Sequence, residues 1–343
     1  MALISVNISL LPGHVPKHER GSTDSTTDIT FRTYCQDYIE TRKQLGYLKE
    51  STYLRYKDLA KRAYQSFGDV LLRDLSVSHL DDFYRNLTLP GANKRTNESL
   101  SPVTIVDYHR LISLVLKDAE AKGYIPANIA DKATIPKQHK PTANYYQPED
   151  VKQILAAANL EPIRRKALIY TFLLTGARRG EVLALHWEDI DFKNEVIHIR
   201  KNLMCDSTNG IYLTTPKNES SVRDIPLCAE LTAVLQELKE STPSRGFVFT
   251  TKNDKPLNPS GISHFMHDFG ERYNLPPINP HAFRHTFASL LITEGVDITT
   301  VSKLLGHAQI STTQNVYAHV IEAKRKQSGS VISKIYFNNI DFT

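Results

Sequence analysis

The sequence predicts a mainly α-helical chain that carries a small antiparallel β-sheet and divides into two domains. Apolar residues recur at three- and four-residue steps through the first third, where no strand-like alternation stands out. Alternating apolar runs cluster between residues 195 and 227. A polar stretch with two prolines, TIPKQHKPTANYY (134–146), separates the two regions and reads as an interdomain linker. The length, 343 residues, also suits two domains better than one.

Residues 1–30 are expected to be a flexible N-terminal segment. Their apolar start, MALISVNISLLPG, lacks a positive n-region and meets Pro12 early, unlike a secretory signal, and 14–30 is polar and rich in Ser and Thr. A helical domain is expected over 31–133. FRTYCQDYIETRKQLG (31–46) and STYLRYKDLAKRAYQSFG (51–68) both close on glycine, the second opening on Ser51 as N-cap. SVSHLDDFYRNL (76–87) is shorter. In SPVTIVDYHRLISLVLKDAEAKG (101–123), Ser101 caps and Pro102 suits the first helical position. Ile105, Tyr108, Ile112, Val115, Leu116 and Ala119 mark its buried stripe.

The second domain is expected over 147–320. QPEDVKQILAAANL (147–160) places Pro148, Glu149 and Asp150 in the first turn, where the helix dipole favours acids. IRRKALIYTFLLTGARRGEVLALHW (163–187) is helical but broken at Thr175-Gly176. EVIHIRKNL (195–203), GIYLTT (210–215), VRDIPL (222–227) and GFVFTT (246–251) read as strands, and the remainder as helix. DITTVSKLLGH (297–307) reads as a helix from Asp297 as N-cap to Gly306 as terminator. STTQNVYAHV (311–320), capped by Ser311, puts Tyr317 about two turns into the next helix. Residues 321–343 form a C-terminal tail.

A net charge of +5 is compatible with nucleic-acid binding without establishing it. Cys35, Cys205 and Cys228 are far apart, odd in number and without a CxxC, which argues against a disulfide scaffold or a Cys-rich zinc site and fits a reducing compartment. No stretch approaches 18 apolar residues, so no membrane helix is expected and the cytoplasm is the expected location. HAFRH (281–285) suggests a two-histidine metal turn, but the zincin pattern needs Glu directly after the first His, and Ala282 stands there. No metal or other cofactor is expected.

Three motifs, TGARRGEVLALHWEDID (175–191), HAFRHTFASLLITEGVD (281–297) and LGHAQISTTQNVYAHV (305–320), resemble in order and spacing those of the tyrosine recombinases, also called phage integrases. The resemblance is close over about 145–320 and looser over 31–130, which resembles the family's helical, SAM-like core-binding domain. It implies catalytic roles for Arg178, Lys217, His281, Arg284, His307 and Tyr317. Tyr317 would attack phosphorus to form a 3′-phosphotyrosyl bond, with His281 as the candidate base. Lys217 would protonate the leaving 5′ oxygen, with Lys201 as the alternative lysine, and His307 would hydrogen-bond a non-bridging oxygen. Glu181 would support the cations. The residue types suit this chemistry: arginine stays charged and donates two parallel bonds, so Arg178 and Arg284 can clamp the two non-bridging oxygens without a metal.

Arg179, Arg223, Lys94, Arg95 and Arg110 are expected to contact the DNA backbone, and His285 to pack or support its helix. The resemblance further implies duplex DNA held between two lobes, a homotetramer on DNA, docking of the tail on a neighbouring subunit, and an excisionase or host DNA-bending protein as accessory partner. The first 30 residues are few and polar, so no arm-binding domain is expected in them. Three alternatives stay open: a Xer-like chromosome or plasmid dimer resolvase, a type IB topoisomerase-like enzyme, and a non-catalytic DNA-binding relative.

Overall fold

A computed structural model describes residues 28–137, 145–206, 209–215, 219–242, 246–318 and 320–322. The chain divides into two compact units, 1–139 and 140–343. Most of the expected N-terminal segment, most of the tail and the centre of the linker lie outside the described residues.

The first unit is helical. α1 (Phe31–Gln44), α2 (Glu50–Phe67), α3 (Val77–Leu87) and α4 (Pro102–Ala121) surround a core of aromatic and aliphatic side chains, Phe31, Phe67, Phe83, Tyr84 and Leu116 among them. α4 follows its sequence closely. Ser101 accepts from Thr104 N, Pro102 opens the helix, and the six expected stripe residues are all buried, joined by Leu111. The Ser51 cap is not formed: the N-cap is Lys49, and Ser51 sits inside the first turn.

The second unit holds eight helices and two small sheets among the described residues. α5 (Pro148–Ala158) and α6 (Ile163–Thr175) lead to α7 (Arg179–Leu183). β1 (Ile190–Asp191), β2 (Val196–Ile199) and β5 (Arg223–Pro226) form one antiparallel sheet in the order β1-β2-β5. β3 (Asn202–Asp206) pairs with β4 (Gly210–Thr214) as a separate hairpin. The single strand expected over 195–203 is therefore two, broken at Arg200-Lys201 and shared between sheets. No named strand forms over 246–251, where isolated bridges join Phe247 to His186 and Thr250 to Pro256. α8 (Ala229–Ser241), α9 (Pro259–Arg272), α10 (Pro280–Thr293), α11 (Ile298–Leu305) and α12 (Ile310–Val316) complete the unit. α12 begins after Gln309, not at Ser311, and Tyr317 is its C-cap residue. A main core is built around α6, α8 and the sheet. A smaller one unites Ala288 and Ile292 of α10, Val301 and Leu305 of α11, Tyr317 and Val320. All three cysteines are free.

Candidate active site

The site is organised by the way α11 ends. Gly306 takes a left-handed conformation, φ +65°. Its N–H bonds Lys303 O and that of His307 bonds Ser302 O, a Schellman-type closure. This leaves the carbonyls of residues 304, 305 and 306 without helical partners. Three arginines from three other elements take them. Arg223 Nε of β5 donates to Leu304 O at 2.6 Å, Arg284 Nη2 of α10 to Leu305 O at 2.6 Å, and Arg178 Nη2, ahead of α7, to Gly306 O at 3.1 Å. The turn that presents His307 is thus fixed by three guanidinium groups.

Glu181 holds two of them. Its carboxylate accepts from Arg178 Nη1 and Arg223 Nη2, both at 2.8 Å, and from Arg178 N. The side chain is 3 % exposed. Burial pushes its carboxyl up, but Arg223 and then Arg178 outweigh that and hold it at about 2. Arg178 is placed by the α6–α7 turn, where Gly176 is left-handed at φ +59° and Ala177 N bonds Thr175 Oγ1. Arg284 is buried and also donates to Gly176 O at 2.9 Å. Burial first, and Arg178 next, lower its pKa.

His307 Nε2 lies 3.0 Å from Arg284 Nη2. A guanidinium only donates, so Nε2 accepts and the ring proton sits on Nδ1, 2.8 Å from Thr313 Oγ1 of α12. Burial, then Arg284 and Arg178, lower the His307 pKa to about 4, so the ring is neutral at neutral pH. Tyr317 is 1 % exposed, and burial raises its phenol to about 12 against the opposing pull of Arg284. Its hydroxyl lies 3.0 Å from His285 Nδ1. The His285 ring in turn meets that of His281 edge-on, with centroids 4.5 Å apart. Burial, then Arg284 and Arg178, lower the His281 pKa.

Of the six residues expected to be catalytic, Arg178, Arg284, His307, His281 and Tyr317 belong to one continuous set of contacts, with Glu181 behind them. Lys217 lies outside the described residues. Lys201 is paired with Glu188 at 2.9 Å and Asp189 at 3.7 Å. Arg179 is exposed, and Arg179 Nη1 bonds Ser263 Oγ at 3.4 Å. Lys94 and Arg95 are exposed between α3 and α4, and Arg110 is exposed on α4, paired with Asp107 at 3.3 Å.

One expectation needs correction. Arg223, expected at the DNA backbone, is buried and committed internally to Glu181, Leu304 O and Ser221 O. Strand alternation signals this placement: Ile225 faces inward, and Arg223, two residues earlier, shares its face. His285, expected to pack or support its helix, also lies against the Tyr317 hydroxyl. Its one-turn spacing from His281 put it on the site's side of α10, but its reach to Tyr317 depends on how α12 packs. Among the described residues, no group of three or more His, Cys, Asp or Glu could hold a metal ion, and no helix is long and apolar enough to cross a membrane.

Comparison with known proteins identifies the family. Residues 144–324 match the phage integrase family and residues 30–135 the phage integrase SAM-like domain. Similar proteins include a XerC-like tyrosine recombinase of Caldanaerobacter subterraneus subsp. tengcongensis, 28 % identical and covering 71 % of this chain and 69 % of the relative. The ICEBs1 integrase of Bacillus subtilis is 25 % identical, covering 87 % of this chain and 81 % of the relative. The fold is similar to that of the Tn1549 transposon integrase solved with transposon right end DNA, at a TM-score of 0.74 and 23 % identity, over 88 % of this chain and 99 % of that one. It is also similar to lambda integrase solved as a tetramer bound to a Holliday junction, at a TM-score of 0.62 and 18 % identity, over 83 % and 79 % of the two chains. The chain belongs to the phage integrase family, the tyrosine recombinases.

Proposed function

We propose that this recombinase cuts and rejoins duplex DNA at specific core sites to integrate and excise a mobile element, through a 3′-phosphotyrosyl link to Tyr317. The observation that carries the reading is the turn at 304–307. It fixes Arg178, Arg284 and His307 together, and its Leu305 packs in the same core cluster as Tyr317. Donors held in advance around a phosphate stabilise the charge that builds on its oxygens, and losing one costs about 10²–10³ in rate by analogy with oxyanion-hole deletions. The bond from Tyr317 Oη to phosphorus forms as the bond to the 5′ oxygen breaks, and Lys217 protonates that oxygen. A 5′ hydroxyl from a partner strand then attacks the phosphotyrosine and releases Tyr317, conserving bond energy.

By likeness to the lambda integrase tetramer on a Holliday junction, strand exchange would run within a homotetramer. An excisionase or host DNA-bending protein would set direction, and the work would take place in the cytoplasm. Binding would rest on phosphate contacts and weaken steeply with salt. The XerC-like relative favours a second reading, a resolvase of chromosome or plasmid dimers. Resolution of a plasmid dimer, with no exchange at the borders of any mobile element, would decide for it.

The test uses nicked duplexes tiling the DNA on either side of the gene. One of them should trap a covalent adduct, with the phosphate mapping to Tyr317, and Tyr317→Phe should bind that duplex without forming an adduct. Adduct formation by Tyr317→Phe refutes the nucleophile, and binding without any adduct from the native chain refutes the activity.

A further inference from the structure

We infer that His285 is a catalytic residue of this reaction, the base that takes the phenolic proton of Tyr317. The inference rests on the reading of Tyr317 as nucleophile. A phenol held at about 12 by burial is a poor nucleophile at neutral pH, so its proton needs an acceptor within hydrogen-bond reach. His285 Nδ1 is 3.0 Å from the hydroxyl, inside that reach. The other histidine of the stretch, His281, is one helical turn earlier on α10 and meets the His285 ring, at 4.5 Å between centroids.

The two partners are held against each other by the fold. The phenol ring is packed among Ala288 and Ile292 of α10 and Val301 and Leu305 of α11, and its ring stands at 62° to that of His285, centroids 5.7 Å apart. His285 lies in the middle of α10, between the buried Arg284 and the buried Thr286, whose hydroxyl donates to Ala282 O at 2.9 Å. Its backbone is therefore held within α10, and the pairing is present in the chain without DNA. In the tautomer protonated on Nε2, Nδ1 accepts from Oη. The step balances: the O–P bond forms, the Oη–H proton passes to Nδ1, and the pair of the breaking P–O bond leaves on the 5′ oxygen, which takes its proton from a separate donor. In the reverse step the imidazolium returns its proton to the departing phenolate.

The test separates the proton leaving Tyr317 from the proton reaching the 5′ oxygen. It uses the full chain and the tiled duplex that traps the native adduct, made with either an ordinary phosphate or a sulfur in place of the leaving 5′ oxygen, since a thiolate leaves without a proton donor. His285→Ala at saturating protein should form adduct about 10²–10³-fold more slowly while binding the duplex as tightly as Tyr317→Phe does. The sulfur substrate should not restore it. His285→Gln can accept a hydrogen bond but cannot carry the proton, so it should stay within about tenfold of His285→Ala. It also serves as the folded control, judged by its unfolding midpoint. Near-native adduct formation by either variant, or recovery on the sulfur substrate, overturns the inference. Adduct formation by Tyr317→Phe overturns instead the reading on which it stands.

Discussion

At the residue scale, Glu181 carries the heaviest electrostatic duty. Two arginines hold its carboxyl at about 2 against the upward push of burial, below an unfolded value of roughly 4.3. A group depressed in this way stabilises the fold fully above its unfolded pKa, and the contribution disappears as the pH falls through about 2. The shift corresponds to about 3 kcal/mol, in line with the 3–5 kcal/mol typical of a broken buried ion pair. Glu181→Gln keeps the shape and removes the charge. Denaturant unfolding across a pH series should show the native chain ahead by about 3 kcal/mol at neutral pH, with the gap closing between roughly pH 4 and 2. A gap that held constant down to pH 2 would refute the charge as its source. The motif spacing exposed Glu181 and its arginine in the sequence. It did not expose Arg223, the second partner, because arginine reads as a surface residue until the strand's inward face is known.

At the element scale, the end of α11 does more than stop a helix. Its left-handed glycine turns the chain so that three carbonyls face three arginines. A Cβ at position 306 would stand 2.9 Å from Arg223 Nη1 and 3.2 Å from its Cζ. Gly306→Ala therefore combines backbone strain of about 1–2 kcal/mol with displacement of an arginine that braces Glu181. Gly123, also left-handed at φ +78°, has nothing within 4 Å of its would-be Cβ. The two alanine variants should lose similar backbone energy, but only Gly306→Ala should slow adduct formation, by more than about tenfold on the scale of one lost donor. Equal adduct rates would show that the turn does not position the site. Two helix starts expected from a capping side chain form as the sequence indicates: Ser101 accepts from Thr104 N, and Asp297 accepts from Thr299 N and Thr300 N. The expected caps Ser51 and Ser311 do not form; those helices start after Lys49 and Gln309, which make no side-chain cap bond. The strands were harder, since alternation continues across Arg200-Lys201 although the chain changes sheets there.

At the scale of the whole molecule, the two units keep separate cores, one centred on Phe31, Phe67 and Phe83, the other on α6, α8 and the sheet. This division was legible from the proline-bearing linker and from the change in apolar periodicity on either side of it. The proposed chemistry belongs entirely to the second unit, so cationic residues of the first should add affinity without touching the reaction. Lys94, Arg95 and Arg110 are exposed there, and the Arg110 pair with Asp107 is a surface pair worth less than about 1 kcal/mol. If these three meet DNA phosphates, each releases about one counterion on binding. The triple alanine variant should then flatten the plot of log affinity against log salt by about two to three units. Its unfolding midpoint should stay native, because exposed substitutions shift stability by no more than about 0.5 kcal/mol. Its adduct rate at saturating protein should also stay native, because binding made equally in ground and transition states does not change the chemical step. Binding isotherms at four salt concentrations, read beside single-turnover adduct rates, check both halves. An unchanged slope would remove these residues from the interface, and a lowered rate at saturation would tie the first unit to the chemistry.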